Sequence, residues 1–261
     1  MSRWCRYRAD ETVGFGTVEG DRIVPHTGSM FDSPAPRSGE ALPLNEVQLL
    51  PPCEPAAFVG LWNNFKALAA KNGWAEPAEP LYFLKAASSL AGPGDEIRPP
   101  GLADVRVFYE GELGIVIGRP CHRASADEAR AAIFGYTCVN DVTAFDLLNR
   151  DPAFAQWARA KSFPTFGVVG PWIDTAFDPT GATIMTRING RERQNFPLAD
   201  MIFDPLRIVQ AVSHGMALRP GDVIACGTSI GAMPMKPGTQ VEVEISGLGI
   251  LANRYGSAEG A

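Results

Sequence analysis

The chain has 261 residues, 46% of them hydrophobic and 20% charged, with a formal net charge of −6. This composition suits a globular chain with a sizeable core and argues against disorder, while an acidic balance without a basic stripe argues against a nucleic-acid partner. Five scattered cysteines (Cys5, Cys53, Cys121, Cys138, Cys226), with no C-x-x-C pair and no run of membrane-spanning length, lead us to expect a soluble cytoplasmic protein without a membrane partner.

Short β-like runs alternate with Gly and Asp turns at the start: Trp4 to Tyr7, Thr12 to Val18 and Arg22 to Pro25. Ser33-Pro34-Ala35-Pro36-Arg37-Ser38-Gly39 reads as a loose connection, and Glu46 to Leu50 as a strand ended by Pro51-Pro52. Residues 1–52 are therefore expected to form a small β-rich N-terminal domain, and residues 53–261 the main one. In the latter, Ala56 to Leu61 is an apolar strand, Asn63 to Lys71 a helix, and Pro80 to Lys85 a strand. Val107 to Gly118 reads as one continuous strand, Ala126 to Phe134 as a helix, and Gly135 to Asn140 as a strand running into Asp141. Thr143 to Ala160 reads as a longer helical stretch interrupted near Asp151-Pro152. Thr183 to Ile188 and Arg191 to Phe196 flank Asn189-Gly190, a strong hairpin signal. A helix over Asp204 to His214 and strands over Val223 to Cys226, Gln240 to Ile245 and Ile250 to Tyr255 complete the chain. The expected class is mixed and β-rich (α+β), not a doubly wound α/β sheet.

Glu110 and Glu112 carry the chemistry. Side chains at i and i+2 of a strand share a face, and two carboxylates on one face of a buried strand repel each other and lose hydration. A divalent cation removes both penalties, and oxygen ligands suit magnesium, manganese or calcium. Asp141, at the end of the next strand, is a third candidate ligand or else the N-cap of the helix that follows it. His26, His122 and His214 read as structural, and Cys138 and Cys226 as inert core thiols.

One ordered set of motifs carries a family resemblance. It comprises Phe83-x-Lys85, Gly92-Pro93-Gly94-Asp95, Tyr109-Glu110-Gly111-Glu112-Leu113, Gly135-Tyr136-Thr137-x-x-Asn140-Asp141, Ala160-Lys161-Ser162-Phe163, Gly170-Pro171-Trp172, Asn189-Gly190, Arg193-Gln194 and Pro220-Gly221-Asp222. Over residues 56–255 the chain resembles the fumarylacetoacetate hydrolase family, in its 2-hydroxyhepta-2,4-diene-1,7-dioate isomerase or 2-oxo-acid hydratase-like branch. The first fifty residues or so resemble the small N-terminal domain of many bacterial members. The resemblance implies a barrel-like β-roll, a homodimer, and Mg²⁺ (or Mn²⁺ or Ca²⁺) held by Glu110, Glu112 and Asp141. It also implies small 2-oxo or 2-hydroxy-alkenoate substrates, acylpyruvates included, with Lys161 lining the site and Lys85 and Thr228 in substrate contact.

The departures bear on the reaction. Hydrolytic members carry G-x-N-Y-x-x-H-x-x-E, whose His and Glu activate water. Here Lys66 takes the histidine's place and Ala69 the glutamate's, while Phe145 and Leu148 replace a frequent Arg and Gln. Lys66 is the candidate catalytic replacement, as a base or a Schiff-base nucleophile. Isomerisation, decarboxylation or hydration in aromatic-compound catabolism is the leading expectation. C–C hydrolysis and a catalytically impaired, carboxylate-binding member are the alternatives.

Overall fold

The structure is a computed structural model that describes residues 2–37 and 39–257; Met1, Ser38 and residues 258–261 lie outside the described part. Strands dominate, as the β-branched and alternating runs require. The large sheet runs in the order Asp32–Pro36, Arg22–Ser29, Thr12–Glu19, Arg3–Ala9, Gly167–Asp174, Ile133–Asp141, Gly111–Ile117, Val223–Ala225, Phe58–Trp62 and Leu81–Lys85. The N-terminal strands enter this sheet through Arg3–Ala9, whose Arg3 and Trp4 face Asp174 and Ile173. A second, five-stranded sheet is ordered Glu96–Ile97, Gly249–Tyr255, Gln240–Ile245, Thr183–Ile188 and Arg191–Pro197. Its last two strands are the Asn189-Gly190 hairpin.

Gly111–Ile117 lies inside the large sheet, and all seven of its residues are buried. Its alternation separates two apolar layers. Leu113, Ile115 and Ile117 join Ile184, Val241, Val243 and Leu251 in the core against the second sheet. Val116 faces the other way, with Phe58, Val139, Val169 and Val223. On that second side the large sheet curls on itself: the Phe58 ring reaches Gly167, leaving no room there for a Cβ. The fold is thus a β-rich roll with a few short helices.

Three expectations need correction. Val107–Gly118 is not one strand: Val107–Phe108 forms its own two-stranded ribbon with Thr143–Ala144, and Tyr109 and Glu110 link it to Gly111–Ile117. The helical stretch 143–160 is reduced to Phe145–Leu148 and Trp157–Lys161. Pro152 lacks an N–H and restricts Asp151 before it, and Thr143 is drawn into the ribbon. The loose connection at 33–39 contains an edge strand, Asp32–Pro36, a place where proline is tolerated. Gly167–Asp174 is a further strand, to which the sequence reading assigned no element. The helices Ala126–Ala132 and Pro205–Gly215 form where expected, each with a side-chain N-cap, Ser125 and Asp204. No described helix is long and apolar enough to cross a membrane, and all five cysteines are buried and free.

Candidate metal centre

Register places Glu112 opposite Val139 on the neighbouring strand, so Glu112 and Asp141, two residues further on, point into the inside of the roll. Glu110 lies off the regular strand but stays tied to it. Its N–H donates to Asn140 Oδ1 at 3.0 Å, and its carbonyl accepts from the Asp141 N–H at 2.9 Å. The three side chains each offer an oxygen such that all lie within 4.8 Å of one another. Glu112 and Asp141 are fully buried, and Glu110 is half-buried.

Two lysines face this triad. Lys161, at the end of its short helix, donates to Glu110 Oε2 at 2.8 Å and to Asp141 Oδ2 at 2.6 Å. Lys85, fully buried at the end of Leu81–Lys85, donates to Asp141 Oδ1 at 2.5 Å. Asp141 is therefore clamped between two ammonium groups and is not a helix cap; Ala144 precedes the helix there and caps nothing with its side chain. Burial opposes ionisation of Asp141, but Lys161 and Lys85 outweigh it and hold its pKa below the usual value. Burial also lowers the pKa of Lys85, against the attraction of Asp141. In Lys161 burial acts the same way but loses to Asp141, Glu110 and Glu112, which raise its pKa and keep it charged.

Glu112 is the odd member. Its Oε2 accepts the Gly227 N–H at 2.7 Å, while its Oε1 is buried with no hydrogen-bond partner. Burial first, then the charges of Asp141 and Glu110, push its pKa well above the usual carboxylate range. Fully ionised, three carboxylates against two ammonium groups would leave one negative charge over, and the orphaned oxygen marks where it would be unsatisfied. A hard divalent cation fits that donor set. It would satisfy Glu112 Oε1 and turn the residual −1 into +1, a site suited to a mono-anionic acid.

The remaining assigned residues fall in different places. Thr228 Oγ1 donates to the Gly111 carbonyl at 2.9 Å, so it grips the backbone between the two glutamates. Lys66 opens the helix Lys66–Asn72 and is exposed. Two residues earlier, Asn64 is anchored by bonds to the carbonyls of Cys226 (2.8 Å) and Phe203 (3.2 Å). That attachment fixes the root of the helix one residue from Gly227, the partner of Glu112. Phe145 is surface-exposed and stacked on Phe108 at 4.6 Å, and Leu148 packs against the core.

Sequence reasoning gave no role to Gln194, yet it holds the centre together. It is buried on the hairpin strand of the second sheet. Its Oε1 accepts the Gly111 N–H at 3.1 Å, and its Nε2 donates to Thr228 Oγ1 at 2.9 Å. Gly111 has no space for a Cβ, which would strike Thr186 Oγ1 and crowd Gln194. The only signal in the sequence was the pair Arg193-Gln194 within the family motifs. Partners of this kind commonly change metal affinity about 10–100-fold when removed. We expect Gln194→Leu to weaken Mg²⁺ binding by about that factor in calorimetric titration; wild-type affinity in a folded variant would show that Gln194 only packs.

Comparison with known proteins gives the family and the fold. Residues 57–255 match the family described as Fumarylacetoacetate (FAA) hydrolase C-terminal, and residues 2–52 match one described as Rv2993c-like, N-terminal. A protein of Archaeoglobus fulgidus is 42% identical over 82% of this chain and 84% of its own length. The crystal structure of 2-hydroxyhepta-2,4-diene-1,7-dioate isomerase from Mycobacterium marinum superposes with a TM-score of 0.89 at 36% identity, covering 98% of each chain. Maleylpyruvate hydrolase from Sphingobium sp. SYK-6, in complex with manganese (II) ion and pyruvate, superposes with a TM-score of 0.77 at 25% identity. That match covers 98% of this chain and all of the other.

Proposed function

This chain belongs to the fumarylacetoacetate hydrolase family, and on that premise we propose a divalent-metal-dependent enzyme of small 2-oxo or 2-hydroxy-alkenoate acids. The observation that carries the reading is that Glu112, whose Oε1 is buried and unpartnered, offers a carboxylate oxygen within 4.8 Å of oxygens from Glu110 and Asp141. These three residues would hold Mg²⁺, with Mn²⁺ and Ca²⁺ as the other oxygen-seeking choices. When bound, the ion supplies Lewis-acid stabilisation of the enolate that forms as the 2-oxo acid reacts. The manganese and pyruvate of the Sphingobium neighbour support this choice of ion and acid. A homodimer in the cytoplasm, with 1–52 and 53–261 as separate domains, belongs to the same proposal; the two family matches meet between residues 52 and 57 and support that division.

The chain's own residues divide the work. Lys161, kept protonated by the carboxylates around it, gives a fixed positive charge and hydrogen-bond donor at the oxo-acid end rather than a base. Lys85 holds the far oxygen of Asp141, so that acid is oriented before substrate arrives. Thr228, with Gln194, keeps Gly111 and hence both glutamates in place; Lys85 and Thr228 border the bound acid. Lys66 lies at the start of a helix rooted beside Gly227, nearer that root than Lys71, and is the group proposed to move a proton.

Isomerisation, decarboxylation or hydration fits better than C–C hydrolysis, because Lys66 and Ala69 stand where hydrolytic members activate water. Purified protein with Mg²⁺ should catalyse keto–enol exchange or oxaloacetate decarboxylation and cleave acylpyruvates poorly. Efficient acylpyruvate cleavage would reverse that order, and binding of 2-oxo acids without turnover would favour the impaired member. Lys66→Met is expected to lower turnover at least tenfold; an unchanged rate on the substrate that is turned over would remove Lys66 from the mechanism.

A further inference from the structure

We infer that the site takes 2-oxo acids with an apolar, planar tail, aryl or conjugated alkenyl, laid along an aromatic row that starts at Lys161; this rests on the function proposed above.

Two elements build the row in the same sense. On the edge strand, Lys85 pairs across from Phe58, Phe83 from Gly60, and Leu81 from Trp62. Alternate residues share a face, so the face that presents Lys85 to Asp141 presents Phe83 next and Trp62 beyond it. Gly60 is what admits Phe83: a Cβ there would lie within 2.5 Å of the ring. On the helix Trp157–Lys161, Trp157 and Lys161 stand four residues apart and share a face. The two cationic ends meet on Asp141, and the two aromatic ends meet each other. Lys161 Nζ sits 5.0 Å from the Phe83 ring centre, Phe83 stacks on Trp157 at 5.1 Å and 18°, and Trp157 meets Trp62 edge-on at 6.1 Å. Trp62 then touches Trp74 at 5.0 Å.

Closed core packing would bury these rings. Instead Phe83, Trp157 and Trp62 are half-buried, and Trp74 is 39% exposed. The last link is braced by the protein: Asn63, in the left-handed region at φ 56°, donates its side-chain N–H to the Ala75 carbonyl at 3.0 Å, holding Trp74 beside Trp62. A 2-oxo acid held by its carboxylate and keto oxygens at the triad leaves its tail free to run along these rings. Indole and phenyl edges recognise an apolar π-system and give a second carboxylate nothing to pair with.

The test is calorimetric titration of the Mg²⁺-loaded protein with pyruvate and with phenylpyruvate. Phenylpyruvate should bind at least tenfold more tightly, and Trp157→Leu should cut that advantage below threefold. Trp74→Ala, at the exposed end and safe for folding, should reduce it by a smaller factor. Equal affinity for the two acids in the wild type, or an advantage unchanged in both variants, overturns the inference alone. Failure of both acids to bind in a metal-dependent manner overturns the parent function and this inference with it.

Discussion

Asp141→Asn is expected to lower the stability of the metal-free protein by about 3–5 kcal/mol and to abolish Mg²⁺-dependent turnover, while Glu112→Gln abolishes turnover and leaves metal-free stability within about 1 kcal/mol. The two acids are proposed ligands of one centre but sit in opposite electrostatic situations. Asp141 neutralises two buried lysines at 2.5 and 2.6 Å. Removing its charge leaves Lys85 without its carboxylate partner, away from water, and Lys161 with Glu110 alone, and breaking a buried pair in this way is the costly case. Glu112 has only the Gly227 N–H for company and one orphaned oxygen. An amide keeps the bond to Gly227 and replaces a carboxyl that burial and its acidic neighbours already push towards the neutral form, so the loss is confined to metal binding. In the wild type, Mg²⁺ at a hundred times its Kd should raise stability by about 2.7 kcal/mol. Neither variant should show that gain. Thermal melts of the wild type and both variants with and without Mg²⁺, read beside turnover, make the comparison. An Mg²⁺-stabilised Glu112→Gln protein would remove Glu112 from the ligand set, and an undiminished melting temperature for Asp141→Asn would refute the lysine clamp.

What the sequence made legible, and what it hid, follow from how far each interaction reaches along the chain. The pair Glu110-Gly111-Glu112 stands out because two acids in an apolar run are a local anomaly. The argument from strand periodicity was only half right, since Glu110 sits on a link beyond the strand and reaches the site through backbone bonds to Asn140 and Asp141. Turn chemistry located the 183–197 hairpin well, because Asn189-Gly190 fixes it in two residues. Strands containing proline or glycine, Asp32–Pro36 and Gly167–Asp174, were missed because their backbone is specified by partners in the sheet and not by their own residues. The same limit explains Gln194. Its bond to Gly111 crosses from one sheet to the other and its bond to Thr228 reaches a loop, and no local pattern marks a glutamine on a hairpin as the support of a site 83 residues earlier. The opposite behaviour of Lys85 and Lys161, one pKa lowered and one raised, depends on which carboxylates each meets, which is visible only in three dimensions.

Lys161→Met should separate metal binding from chemistry: Mg²⁺ affinity rises at least tenfold while kcat falls about 10²–10³-fold. Lys161 donates to Glu110 Oε2 and Asp141 Oδ2, oxygens of two of the three candidate ligands. A unit positive charge a few ångströms from a dication repels it by about 2 kcal/mol even at the dielectric of water and by more inside the roll. Deleting that charge therefore favours the ion, provided Lys85 still orients Asp141 through its other oxygen. Turnover moves the other way, because removal of one fixed donor from the place where negative charge develops typically costs that much in kcat. Lys161→Arg keeps the charge but spreads it over a planar fork, and should recover part of the rate while returning Mg²⁺ affinity towards the wild type. A merely structural lysine would lower metal affinity and kcat together, through a loosened site. Wild-type kcat in a folded Lys161→Met protein would place the developing charge elsewhere, and a tighter ion with a slower reaction is the signature that the two positive charges at this centre compete for the carboxylates yet cooperate on the substrate.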